Sequence, residues 1–425
     1  LALLLQDRPR LTCGVLAVQV MVSVVYNLAD TFFIAQSNDT ALIAGVSLCA
    51  PVFTALMAFG NIYGQGGSSL ISRLLGQDDR EGTGRVSSFC FYVALTTGVV
   101  LAALMMLFRV PLLGILGATA ETMPHAQAYY TVLAIGAPAT VLNFIHSNLV
   151  RCEGMATQSM IGSIGGTVIN IILDPIMIFG LLGCPAMGVR GAAYATIIGQ
   201  LVAAVLGIVL NQKHNTDVRV NLKKIRFNFP LIGEIYSIGF PSILMTAIGS
   251  VTTYLMNQIL LAFSTTASAV YGVYFKLNSF FFMPLFGLNN AVVPIVAYNY
   301  GARNRGRIHQ AIRTSTITAV TIMLLGWAAF FFLPVPLLRL FDASEAMIAI
   351  GIPAFRITSF TYPLAAVSIV ASSVFQALGK SMYSMLVSLG RQLIVLIPVA
   401  YLFSLTGVLD DVWLAFPIAE VVCLI

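Results

Sequence analysis

The chain consists of long apolar runs, most of 20 to 30 residues, separated by short polar breaks. A run of about 20 apolar residues, coiled as a helix, covers the roughly 30 Å of a bilayer's hydrocarbon. Lipid offers no hydrogen bonds to the backbone, so only helices and closed barrels can cross it. A barrel would need alternating segments of about ten residues, and the apolar runs here are longer and do not alternate. Charged residues make up only 9% of the chain, against about 25% in soluble domains. The fold class expected is therefore an all-α polytopic membrane protein. Its 17 prolines and 35 glycines suit this class, because both are commoner in membrane helices than in soluble ones.

Apolar runs and polar breaks predict twelve spans, near 11–35, 42–72, 86–108, 124–150, 156–182, 188–211, 231–262, 268–299, 308–333, 345–374, 382–406 and 411–425. Lys and Arg give them a direction. Sixteen of the 22 basic residues fall at alternate breaks, among them Arg73, Arg80, Arg85, Arg151, Lys223, Lys224, Arg303 and Arg305. Basic loops stay cytoplasmic, so both termini are expected inside, at a prokaryotic plasma membrane. The net charge of +6 follows from this bias, and nucleic acid is not an expected partner. No cleavable leader is expected, since Leu1–Leu5 is short and a full span follows Arg8 and Arg10. Polar tails are expected beyond both ends.

The second half repeats the first at an offset of about 225. This shift carries Pro111 to Pro336, Pro138 to Pro363, Ser147 to Ser372, Gly154 to Gly379, Ser159 to Ser384 and Gly165 to Gly390. Six spans per half is an even number, so the two bundles share one orientation, as in parallel-repeat transporters. The expected division is 1–211 for one bundle, 212–230 for a cytoplasmic linker and 231–425 for the other.

Six charges remain at membrane depth: Asp30, Asp174 and Glu420, against Lys276, Arg356 and Arg391. An acid at the centre of a span costs at least about 2.5–3.5 kcal/mol, so such residues mark ion paths by default. Asn170 and Asp174 are four residues apart and share a helix face. Pro175 follows, leaving a carbonyl one turn back without its helical donor. With Thr196 these residues make an all-oxygen set, Asp30, Asn170, Asp174 and Thr196, suited to Na⁺ or to a proton shared between carboxylates. The competing reading is plain charge pairing, or a capping role for Asp174. The three basic residues at depth all lie in the other half, which favours the ion site.

The basic trio has weaker readings. Lys276 either snorkels or lines a second-half cavity. Arg391, aligned with Gly166, is expected against aromatic neighbours, and Arg356 is expected to reach for Glu420. The stretch "GQGGSS", Gly64–Ser69, lacks the ending of a phosphate loop and reads as close helix packing. His146 reads as a hydrogen-bonded core residue rather than a proton relay. Six scattered cysteines read as apolar fillers. No Ser-His-Asp or H-E-x-x-H arrangement occurs, and no enzyme or cofactor is expected.

The stretches "LADTFFIAQ", "SRLLGQDDREGTGRV", "NIILDPIMIFG", "MGVRGAAYAT", "MPLFGLNNAVVPIVAYNYGARN" and "FQALGKS" together resemble the multidrug and toxic compound extrusion family. The likeness is greatest to its prokaryotic branch of DNA-damage-inducible exporters. It implies a V-shaped pair of six-helix bundles that exports organic, often cationic, drugs or toxins in exchange for Na⁺ or H⁺. The branch's acidic site resembles Asp30, Asn170, Asp174 and Thr196, with Tyr26, Asn27, Thr167 and Gln200 near the drug or ion. Acids that other branches carry in the seventh and tenth spans have no counterpart, since Glu234 lies at a rim and Arg356 occupies span ten. The expectation is a monomeric secondary antiporter with small molecules and membrane lipids as partners. A flippase for lipid-linked sugars, an intramembrane aspartyl enzyme using Asp30 and Asp174, and a receptor or structural role are the alternatives.

Overall fold

The computed structural model describes Val22, Phe33, residues 40–214, Val218, 229–341 and 343–424, and among these no strand occurs. In chain order the helices are α1 Thr40–Gly76, α2 Arg80–Leu107, α3 Arg109–Ile115, α4 Met123–Cys152, α5 Ala156–Phe179 and α6 Val189–His214. There follow α7 Phe229–Leu261, α8 Thr265–Gly301, α9 Arg305–Phe332, α10 Pro334–Arg339, α11 Glu345–Ser359 and α12 Thr361–Ala377. The chain closes with α13 Ser381–Leu389, a π-helical turn Gly390–Leu396, α14 Ile397–Ser404 and α15 Leu409–Leu424. Among the described residues nine helices are long and apolar enough to cross a membrane, ten if the bent pair α11–α12 is one span. Of the expected first span, 11–35, only Val22 and Phe33 are among the described residues.

The repeat is written in the backbone. Asp78 and its counterpart Arg303 both adopt positive φ, 60° and 56°. One residue on, Asp79 Oδ1 caps α2 by accepting from Gly82 N at 2.8 Å. Asn304 Oδ1 caps α9 by accepting from Arg307 N at 3.2 Å. The helix breaks at Gly154 and Gly379 use φ of 80° and 77°, values that only glycine adopts at no steric cost. Across each break a serine clasps the helix before it: Ser159 Oγ donates to Ser147 O, and Ser384 Oγ to Ser372 O, both at 2.8 Å. The short helices α3 and α10, which the apolar pattern does not predict, also correspond to each other.

The chain divides into two compact units, Leu1–Phe240 with Gly301–Arg303, and Pro241–Tyr300 with Asn304–Ile425. The first is built around α4, whose Leu133, Ala134, Ala137 and Val141 are wholly buried. Small residues let helices close on it: Gly98 of α2 sits so near Pro138 that a Cβ there would lie 2.7 Å from the proline Cα. Such small contacts drive association where lipid gives no hydrophobic force. The "GQGGSS" stretch does this work within α1. Gly64 faces Asn148, Gly67 faces the Cys90 thiol, and Ser69 is fully buried.

The second unit is filled by rings instead. Phe330 stands 4.9 Å from Phe355 and 5.3 Å from Tyr362, ring centre to ring centre, and Tyr274 joins them. Pro138 lies within an unbroken α4, whereas its counterpart Pro363 follows a 44° bend between α11 and α12. Pro363 has no N–H for the Ser359 carbonyl. Near the break, hydroxyls take up carbonyls instead: Thr361 Oγ1 donates to Thr358 O at 2.7 Å, and Ser359 Oγ to Arg356 O at 2.8 Å.

Candidate functional site

Helices α5 and α6 run antiparallel and touch at glycine. A Cβ on Gly199 would lie 2.8 Å from Gly166 O and 2.9 Å from Asn170 Cβ. A Cβ on Gly191 would collide with the backbone at Met177, and Gly162 approaches Gly207. This register puts Thr196, one turn before Gly199, at the level of Asp174, one turn beyond Asn170. All three are buried: Asp174 is 0% exposed, Asn170 2% and Thr196 4%. Neither amide atom of Asn170 nor the Thr196 hydroxyl finds a hydrogen-bond partner among the described residues. Asp174 precedes Pro175 inside α5, as the sequence requires.

Gln200 of α6 is half-buried and accepts from Asn143 Nδ2 at 2.6 Å. Thr167 is half-buried on α5, one turn before Ile171 and beside Gly166. Three residues of the expected constellation, Asp30, Tyr26 and Asn27, lie outside the described residues. The donors that can be placed are one carboxylate, one amide and one hydroxyl. Among the described residues no three His, Cys, Asp or Glu side chains gather as a metal cluster.

Several expectations are corrected. Glu420 pairs with Arg391, not with Arg356: Arg391 Nη1 donates to Glu420 Oε1 at 2.7 Å. Arg356, in the last turn of α11, lies 5.8 Å over the Phe331 ring and donates through Nε to Phe331 O at 3.3 Å. The two arginines have exchanged roles, because Arg391 and Glu420 occupy neighbouring helices that pack, while Arg356 is exposed beside aromatic residues. His146 is core, but neither ring nitrogen has a hydrogen-bond partner among the described residues; its ring rests 5.1 Å from Phe91. Lys276 is exposed on α8.

A second correction concerns the end of α4. Arg151, counted among cytoplasmic loop charges, is 7% exposed and donates to Asn148 Oδ1 at 2.6 Å. Glu153, which drew no attention in the sequence, is fully buried, and its Oε1 accepts from Val218 N at 2.7 Å. Ser87 Oγ and Asn211 Nδ2 both donate to Val218 O, at 2.8 and 3.2 Å. Val218, between α6 and α7, is thus pinned to the first unit by three hydrogen-bonding groups. No local pattern announces this, since the partners are up to 131 residues apart. At the rim, Arg73 and Glu234 form an ion pair at 2.5 Å.

With this geometry in view, the chain can be set beside known proteins. The MatE family matches it twice, over residues 16–176 and 240–402, one match in each half of the repeat. The multidrug export protein MepA of Staphylococcus aureus is 32% identical over 407 residues, covering 95% of this chain and 88% of MepA. A crystal structure of MATE in the straight conformation superposes with a TM-score of 0.91 at 27% identity, covering 99% of this chain and 95% of that one. The outward-facing conformation of a multidrug resistance MATE family transporter of the MOP superfamily gives 0.90 at 27% identity, over 99% and 94%. The twelve-helix, two-bundle plan read from the apolar runs is the plan of these structures. The chain belongs to the MatE family.

Proposed function

We propose that this protein is a secondary active multidrug exporter, moving organic and often cationic compounds outward in exchange for Na⁺ or H⁺. The observation that carries the reading is the burial of Asp174 beside Asn170 and Thr196, on two helices in direct contact, in a MatE chain. A buried polar group without a partner costs about 1–3 kcal/mol, and chains retain that cost where a ligand or a moving neighbour completes the bonds. An amide oxygen, a hydroxyl and a carboxylate suit a hard cation, and a carboxylate also takes a proton.

In the proposed cycle, Asp30 and Asp174 receive the cation from outside and lose their negative charge. With Asn170 and Thr196 they form the coupling site, and Tyr26, Asn27, Thr167 and Gln200 contact the drug or the ion nearby. A cationic drug held by that charge is released, and the drug-free carrier returns with its cation by rocking of the two bundles. Coupling requires only that ion and drug favour different states. The positive-inside pattern supports cytoplasmic termini in a prokaryotic plasma membrane, and the proposed working unit is a monomer. A lipid-linked-sugar flippase needs cations for pyrophosphate. The polar centre of α5 and α6 is acidic instead, and Arg391 is neutralised by Glu420.

The test is uptake of a fluorescent organic cation into proteoliposomes under a Na⁺ gradient or a pH gradient, applied separately. Wild-type flux should respond to at least one gradient. Asp30→Asn and Asp174→Asn should each bring gradient-driven flux to the protein-free level at unchanged expression. Full flux in Asp174→Asn would sink the mechanism.

A further inference from the structure

The second unit holds an open cavity of about 590 Å³, within the range of pockets that hold drug-sized molecules. Its wall joins an ion pair, Arg391 and Glu420, to the aromatic rings of Tyr271, Tyr274 and Phe416. The helix is widened beside the cavity, where Arg391, Gln392 and Leu396 line it. Residues Gly390–Leu396 form a π turn, and a Cβ on Gly390 would meet nothing within 4 Å. At the matching level of the first unit, Gly166 is pressed against the Gly199 carbonyl and Ala203, which leaves no room. π turns inside α-helices are rare and concentrate at functional sites.

The ion pair is not saturated. Glu420 is 8% exposed; the Ser368 hydroxyl lies near its carboxylate, and Oε2 completes no hydrogen bond among the described residues. Arg391 gives one N–H to Glu420 Oε1, and a guanidinium carries five. The side chain of Arg391 remains 23% exposed. A lone anion reaching Arg391 would also face Glu420, and a lone cation reaching Glu420 would also face Arg391. A zwitterion meets neither penalty: its carboxylate takes the unused guanidinium N–H groups, and its ammonium takes Glu420 Oε2. Both contacts are charge-assisted, and such bonds are about twice as strong as neutral ones.

We propose that this cavity is a binding site for aromatic zwitterions, compounds with an amino-acid-like head and a flat apolar body. The head docks on Arg391 and Glu420, and the body stacks among Tyr271, Tyr274 and Phe416. The site stands apart from the acidic centre of α5 and α6, and its occupancy needs no ion gradient.

The purified full chain in detergent should be titrated with three fluorescent probes that share one dansyl group. These are Nε-dansyl-lysine (ammonium and carboxylate), dansylcadaverine (the same molecule without the carboxylate) and dansyl-6-aminohexanoic acid (no ammonium). Dansyl-lysine should bind at least tenfold more tightly than either partner. The double variant Arg391→Gln/Glu420→Gln removes both charges together and leaves no lone buried ion, and it should erase that preference. Gly249→Leu grows a side chain into the cavity from α7, where only Gln392 Oε1 lies near, 3.8 Å from a Cβ. It should weaken dansyl-lysine binding at least tenfold, and it decides the matter if the double variant does not fold. Asp174→Asn should keep the preference, which separates this site from the coupling site. Equal binding of the three probes to wild type, or an unchanged dansyl-lysine affinity in Gly249→Leu, would overturn the proposal.

Discussion

The two halves of this protein share their caps, glycine breaks and serine clasps, yet they differ where corresponding helices meet. In the first half, α5 and α6 close on glycine, and Asn170, Asp174 and Thr196 are shut in with little space around them. In the second half, Arg391 stands where the first has glycine, the helix opens into a π turn, and Glu420 pairs directly with that charge beside a cavity. The cores differ in the same sense, small side chains around α4 in one and stacked rings around Phe330 in the other. Duplication preserved the scaffold while two kinds of polar centre developed on it, one acidic and compact, the other charge-neutral and roomy.

That contrast can be broken experimentally. The largest effect is expected from Glu420→Ala, which strands Arg391 at membrane depth. Losing one partner of a buried pair costs about 3–5 kcal/mol, seen as a large fall in melting temperature in detergent. Glu420→Gln, which keeps an acceptor for the guanidinium, should lose clearly less. If both fall equally, the ion pair has no special place in the second half.

A smaller effect should follow from Gly166→Ala, whose new methyl would collide with the Gly199 carbonyl and the Ala203 methyl. Overpacking of this kind costs about 1–3 kcal/mol. Gly390→Ala, in the second half and one residue before the position equivalent to Gly166, should leave the melting temperature unchanged, because the space beside it is open. Equal losses at the two positions would mean that the halves are packed alike after all.

The smallest effect tests what the halves share. Ser159→Ala and Ser384→Ala each remove one serine-to-carbonyl bond of 2.8 Å, worth about 1 kcal/mol. The two melting shifts should match. A twofold disparity would show that the clasp matters in only one half.

Much of this architecture was legible before any coordinates. The helices follow from apolar length, a local property. The repeat follows from residues at one offset, and its glycines reappear with the positive φ that explains them. Asp174 was legible as a buried acid because an acid within an apolar run has nowhere else to go. Other features were not, and each for a spatial reason. Which arginine meets Glu420 depends on helix rotation and packing, and α13 to α14 pass through a π turn that no composition signals. Arg151 reads as a loop charge and Glu153 carries no signal, yet both are buried where α4 ends near Val218.

The sequence alone therefore determined the solvent this chain is built for, its helical spans, their duplication and the acid that breaks the apolar pattern. These depend on the free energy of moving residues from water into lipid, which each segment carries by itself. Tertiary structure alone decided the partners of the buried charges, the closeness of α5 to α6 and the cavity beside Arg391. Those depend on which faces of separate helices meet, and hydropathy does not encode that choice.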